Sequence, residues 1–501
     1  MEILTETYKD KISGVLGCYD RVVITGTIPQ ICYSQGMTSF LYSKGIRIFD
    51  YAHFVEPYKE QIRANAEQIA KDNGIEIEFV RKSSTRKEDL IQKKIKERGT
   101  HPGLVHILSA MEACPSYLPW HDKTTGKTFL KGTQSKCLHY YFYFIDEHLG
   151  AGYIRVPTWA PFKLQIYFNG HNILAGALDK EGIEYTMIDN AFDSISDFGR
   201  AQKISDNIDI KEVHKRLDCL SKKYCPVYSD FGQTYHWSIM QIEYATDIVF
   251  KKQEYLQSIY SDLIATAIHT VKPVNIITFL GRKLDAKYQG EVGNNYHIRI
   301  EGSRIKHSMG KSSIKMYDKF SKILRIETTT NDVTFFKHYR EVEHRDGSKT
   351  KKIAPLKKNI YSMSSLTELL KASNRRYIEF ISAIENKNAG RKRLEKISRS
   401  KTENGRNYKG FNFFDQFDLS ILLTVLKGQF NISGFRNSDI RKILPSLNSG
   451  KVSRLFRRLL KHGLIKKVGR TYKYYITKLG KEVFLTALKL KETVLIPALN
   501  Y

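Results

Sequence analysis

Cysteine is scarce. The six residues, Cys18, Cys32, Cys114, Cys137, Cys219 and Cys225, are scattered over 501 positions without a Cys-x-x-Cys pair. That argues against a structural zinc site and against a secreted disulfide framework. The opening MEILTETYKDKISG has no apolar core of a signal peptide. No apolar run approaches the ~20 residues needed to cross a bilayer. GVLG and VITGTI match neither a phosphate loop nor a dinucleotide fingerprint, so no nucleotide cofactor is argued. These absences point to a cytoplasmic chain with reduced thiols and no membrane partner.

What is abundant is positive charge. Lys and Arg number 81 against 52 acidic residues, a formal net charge of +29. Such an excess attracts a polyanion, because each neutralised phosphate releases condensed counterions. A merely solvated basic surface is the plainer alternative, and the location of the charge decides between them. At 41% hydrophobic residues the chain can bury several cores. Its length implies roughly two to four domains.

The pattern along the chain reads as a multidomain α+β protein. Residues 1–200 read as an α/β domain. Strands are expected at Arg21–Ile28, Leu104–Leu108 and Phe162–Phe168, with a hairpin of Leu138–Ile145 and Tyr153–Thr158. Residues 201–385 read as a helical domain carrying a β-meander. Within it, the spacing of Ile239, Ile242, Thr246 and Val249 predicts a helix. Residues 386–410 read as a basic linker: the stretch 385–410 holds nine Lys/Arg, three Glu and almost no apolar pattern.

Residues 411–501 are the most informative. An apolar helix is expected over Asp418–Gln429. A short helix capped by Asn437 or Ser438 follows, then KVSRLFRRLLKHG, capped near Ser449 and closed by Gly463. On that last helix Val452, Leu455, Phe456, Leu459 and Leu460 share one face. Lys451, Arg454, Arg457, Arg458 and Lys461 occupy the other. Leu464–Val468 and Thr471–Thr477 then predict a two-stranded wing with Lys466, Lys467, Arg470 and Lys473 at its tip and edges. Over 417–481 fifteen Lys/Arg stand against Asp418 and Asp439, a net of +13.

This string, above all HGLIKKVGRTYKYYITKLGKE, resembles winged-helix proteins, including the MarR-like bacterial regulators. The resemblance covers about the last eighty residues. It implies a recognition helix whose cations meet phosphates and guanine edges, with the wing on the backbone. A winged helix used for protein contacts is the alternative, disfavoured by so cationic a face.

In the meander, GSRIKHSMGKSSIKMYDKFSKILRIETTTND places Ile314 and Met316 on one side and Lys315 and Tyr317 on the other. Arg304, Lys306, Lys315 and Arg325 are expected to line one basic face, with Tyr317 able to stack on a base. The GSR…YDK…LRIE string resembles the replication-initiation factors of plasmids and filamentous phages, which nick DNA through a tyrosine. The sequence departs from that pattern, because Ile300 stands two before Gly302. Tyr296 and Tyr317 are the nearby candidates, and His297 and His307 are ten apart. A sheet that grips nucleic acid is therefore preferred over a nicking centre. The N-terminal strings resemble bacterial proteins of uncharacterised activity, which implies no chemistry.

Metal-dependent phosphodiester cleavage needs carboxylates gathered around Mg²⁺. Asp20, Glu112, Asp146 and Asp189 stand at predicted strand ends and are the candidate ligands; solvated turn acids are the alternative. Asp20 and Glu112 are the best of them, and Tyr317 is the fallback nucleophile. His236, Met240, Glu243 and Asp247 would share a face of the helix predicted after Gln233. The aromatic-basic segment Thr158–Asn172 suits a single strand of nucleic acid or a buried strand edge.

Together these readings predict a DNA-processing protein of a bacterial mobile element, positioned by its winged helix. A replication initiator, a nuclease and a transposase-like enzyme all fit. DNA is the expected partner, RNA the second choice, and no cofactor is certain, with Mg²⁺ admissible. The alternative is a non-catalytic regulator or structured-RNA-binding protein. The sequence does not settle the oligomeric state.

Overall fold

The computed structural model describes residues 2–82, 84–99, 101–282, 292–299, 302–344, 346–382, 395–403, 405–413, 415–426, 429–430 and 434–489. Positions 386–394 of the expected basic linker, and Ile300 of the GSR comparison, lie outside them. The chain forms two compact units, each discontinuous in sequence. Among the described residues no helix is long and apolar enough to cross a membrane.

One unit comprises Gly17–Tyr244 and Thr330–Thr367. It takes β1 (Ile12–Thr27) from Gly17 onward, β2 (Ile77–Phe79), β3 (Gly103–Asp122), β4 (Lys127–Asp146), β5 (Gly150–Pro157) and β6 (Leu164–Asn169). It also takes β9 (His236–Phe250) up to Tyr244. Their order in the sheet is β9-β1-β6-β5-β4-β3-β2. β7 (Tyr185–Ile188) and β8 (Ala191–Ile195) form a separate hairpin.

Mixed α and β structure is present as expected, but the pairings β1·β6, β3·β4, β4·β5 and β5·β6 are antiparallel. The short β2·β3 contact is parallel. For β3·β4 and β4·β5 the reason is the length of the connections. Turns of a few residues, such as 123–126 and 147–149, can join only antiparallel neighbours. The expected hairpin of Leu138–Ile145 with Tyr153–Thr158 is the β4·β5 pair, His139 facing Pro157 and Asp146 facing Gly150. α1 (Ser34–Ser43), α2 (Gly170–Lys180) and α3 (Ile210–Tyr224) belong to this unit.

The other unit comprises Met1–Leu16, Ala245–Thr329 and Glu368–Tyr501. Its sheet contains β10 (Val292–Arg299), β11 (Gly302–Met309), β12 (Ser312–Lys319) and β13 (Ile323–Thr330), consecutive in space as in sequence. The expected meander is there. Ile314, Met316, Leu324 and Ile326 are all fully buried, which drives its formation through removal of apolar area from water.

The helix predicted after Gln233 is instead β9. Apolar and β-branched residues fill the stretch Glu243–Phe250, and both of its faces are buried. No period-2 alternation shows, and the chance spacing of Ile239, Ile242, Thr246 and Val249 imitates a helix. As a strand, β9 separates the four residues grouped on that helix. His236 and Met240 are exposed, whereas Glu243 and Asp247 are buried.

His307 of β11 is completely buried. Its Nδ1 lies 2.7 Å from Asn294 Oδ1 and its Nε2 3.0 Å from the Tyr377 hydroxyl. The neutral ring satisfies both by donating at Nδ1 and accepting at Nε2. Burial pushes its pKa down from 6.5 to about 4. Between those values the unfolded chain binds the proton and the folded chain does not. The contribution is therefore complete above pH 6.5 and is lost as pH falls toward 4, of order 3 kcal/mol in all. The His307 imidazole resonance is expected to hold its neutral shift down to about pH 5. A titration midpoint near that of an exposed histidine would contradict this.

Candidate functional site

In the C-terminal region α4 (Gln416–Val425), α5 (Asn437–Ile443) and α6 (Ser449–Lys461) are followed by the strands Ile465–Lys467 and Tyr474–Ile476 and by α7 (Lys478–Lys489). Asn448 caps α6 by accepting from Lys451 N at 2.9 Å, and Gly463 ends it at φ +72°. That left-handed conformation favours glycine. Val452, Leu455, Phe456 and Leu459 are buried. Lys451, Arg454 and Arg457 are exposed. On the hairpin Lys466, Lys467 and Arg470 are exposed too, while Lys473 is half-buried, 5.7 Å from the Tyr475 ring.

Two residues expected on the cationic face are used internally. Arg458 makes a bidentate pair with Asp418, at 2.7 and 2.8 Å. It also donates to the carbonyls of Lys409 and Gly410, and its guanidinium lies 3.8 Å from the Phe411 ring centroid. It is a structural clamp, not a free cation. Lys461 pairs with Glu403 at 2.7 Å. Glu403 lies in a small hairpin of Lys401–Glu403 and Arg406–Tyr408, within the stretch read as linker. Helical periodicity finds the polar face but cannot say which of its cations meets a buried acid.

In the meander, Arg304 stands opposite Tyr317 and Lys306 opposite Lys315, so the predicted register is met. The expectation of an open basic face is not. Arg325 is fully buried and holds Asp247 through two 2.7 Å hydrogen bonds. Lys315 lies 2.5 Å from Glu327 Oε1, and the Tyr317 hydroxyl donates to Glu327 Oε2 at 2.9 Å. Both faces of β13 are covered. The acids that neutralise this face come from β9 and β13, and the misassignment of β9 as helix hid Asp247.

The four proposed metal ligands do not gather. Glu112 is enclosed by Lys87 at 2.7 Å, Arg155 at 2.9 Å and the Tyr141 hydroxyl at 2.7 Å. Burial alone would raise its pKa, but these partners hold it below the usual range. Asp146 likewise is held low against burial by Arg216 and by the Leu149 and His148 amides, stapling the β4–β5 turn. Four strand spacings separate β3 from β1, and Glu112 sits toward the opposite end from Asp20. The separation is on the order of 30 Å. Asp189 is exposed in the β7–β8 turn at φ +53°.

Asp20 is different. It is 7% exposed, and its Oδ1 accepts from Asn169 Nδ2 at 3.0 Å and Asn190 Nδ2 at 2.6 Å. His171 Nδ1 lies 3.4 Å away. Asn169 is also the N-cap of α2, accepting from His171 N. Gly170 lets this cap close on β1: a Cβ there would fall 2.3 Å from Tyr19 O. Its acidic neighbour is Glu243, 8% exposed, with a carboxylate oxygen within 4.8 Å of one on Asp20. Sequence reasoning singled out Glu243 but grouped it with His236, Met240 and Asp247 on a helix, and that assignment hid its pairing with Asp20.

No protein-family model, curated protein or solved structure matches the chain.

Proposed function

We propose that residues 411–489 form a winged-helix module that binds duplex DNA, and that the chain is a DNA-processing protein. One observation carries the reading. Lys451, Arg454 and Arg457 are exposed on the side of α6 opposite its four buried apolar residues, and no ion pair holds them among the described residues. A helix anchored by an apolar stripe, with free cations outward, has the form required to enter a major groove. The hairpin that follows carries Lys466, Lys467 and Arg470 for adjacent phosphates. Arg458, Lys461, Lys315 and Arg325 leave the contact set, because each is committed to an acid. Duplex affinity over a salt titration tests the module.

A second reading adds chemistry, and the Asp20–Glu243 pair favours it. Two buried carboxylates this close repel unless a proton, donors or a cation intervene. A divalent cation would find two oxygen ligands there, with Asn169, Asn190 and His171 fixing Asp20 from behind. The expected outcome is a rise in melting temperature with millimolar Mg²⁺ or Mn²⁺, absent in Asp20→Asn. An equal response from both proteins removes the metal.

A further inference from the structure

The far half of the β3–β4 hairpin has a face that folding does not explain. In an antiparallel pair, directly opposed residues share a face. Tyr117 and Leu130 lie on the inner one. They are 6% and 1% exposed, Tyr117 donating to Ile31 O and Leu130 N to Thr38 Oγ1 of α1. The outer face carries Leu118 opposite Lys131, Trp120 opposite Phe129 and Asp122 opposite Lys127. Here Leu118 is 56% and Trp120 50% exposed. An indole and an isobutyl group presented to water contribute nothing to the core, so their place on the outer face asks for a partner.

The surrounding charge says which. Lys127 and Lys131 are exposed on this face, and exposed Lys123 lies in the turn beyond it. Asp122, the acid among them, is bound to the turn by Thr124 N and Thr125 Oγ1. The Lys131 ammonium already lies over the Trp120 ring, 4.9 Å from its centroid. A planar ring bearing a cation, with a second lysine on the same face, is the platform on which an unpaired base stacks while its phosphates meet the ammonium groups.

We infer that this outer face binds single-stranded DNA, with one base stacked on Trp120 and the flanking phosphates on Lys127 and Lys131. The surface itself is independent of the C-terminal module. Only the choice of DNA over RNA rests on the proposed function.

The protein reports on this directly. It has three tryptophans. Trp237 is 2% exposed, and half-buried Trp159 donates to Ser116, so added oligonucleotide should quench mainly Trp120. Titration of the full chain with oligothymidylate is expected to quench its fluorescence. By anisotropy, Trp120→Ala should bind about tenfold more weakly and Trp120→Phe near the native level. Lys127→Ala with Lys131→Ala should flatten the salt dependence by about 1.4 in log–log slope. Quenching is read at Trp120 and duplex affinity at the C-terminal module, so the two readings fail separately. Unchanged affinity in Trp120→Ala overturns the inference. So does quenching by anionic phospholipid vesicles without quenching by oligonucleotide. Tighter binding of oligouridylate overturns the assignment to DNA.

Discussion

Duplex DNA binding by Arg454→Ala with Arg457→Ala is expected to weaken by roughly 10- to 100-fold at 0.1 M salt and to converge on the native protein near 1 M. The magnitude follows from counterion release. Each phosphate contact contributes about 0.9 to the slope of log affinity against log salt. Two contacts therefore account for almost two decades between those salt concentrations, and the slope should fall by about two units. Arg458→Ala is the internal control. Its guanidinium is spent on Asp418, Lys409 O, Gly410 O and the Phe411 ring. Its loss strands a carboxylate that is 6% exposed. The expected result is lower stability, by roughly 3 kcal/mol, with an unchanged salt slope in the remaining folded protein. A variant pair that leaves the slope intact would take α6 out of the DNA interface.

Arg325→Met is expected to be among the most destabilising single changes in the chain, at about 3–5 kcal/mol. Its guanidinium is 0% exposed and Asp247 3%. Removing the cation strands Asp247 in a medium where an unpaired charge is penalised far more than a lost contact. At roughly 2–4 °C per kcal/mol for a domain of this size, the melting temperature should drop by about 6–20 °C. Adding Asp247→Leu should recover much of the loss, because replacing both partners by apolar groups of similar volume is often neutral. A double variant no more stable than Arg325→Met would show that Asp247 is held chiefly by other groups. A single variant as stable as the native protein would show that the pair is not buried in solution.

Both results turn on a distinction the amino-acid order does not make. Arg457 and Arg458 are adjacent on one helix, and Arg304 and Arg325 belong to one meander. Periodicity places the first two on the same polar face and the second two on the same side of a sheet. Arg458 is committed to Asp418, forty residues away, and Arg325 to Asp247, seventy-eight residues away. Such pairings are fixed by which elements pack together, a long-range property with no local signature.

The acidic candidates show the same limit. Asp146 and Asp189 sit at strand ends, as read, but Asp20 lies in the middle of β1 and Glu112 in the middle of β3. Whether such acids converge depends on sheet order, and the order found sets Asp20 on β1 and Glu112 on β3, four strand spacings apart. The actual neighbour of Asp20 is Glu243, on a strand that is buried on both faces and so lacks the alternation that marks a strand.

Local physics alone determined the C-terminal helices, the cap of α6 at Asn448 and the Gly463 stop, the turns of the meander and its alternation at Ile314–Tyr317, whereas α5 is capped at Arg436 and not at Asn437 or Ser438. Each is set by neighbours within a turn or a hairpin, where side-chain period and φ preference leave few choices. Tertiary structure decided the antiparallel order of the larger sheet, the strand at His236–Phe250, and which cations face water. Those depend on contacts between residues far apart in the chain, where burial overrides local preference.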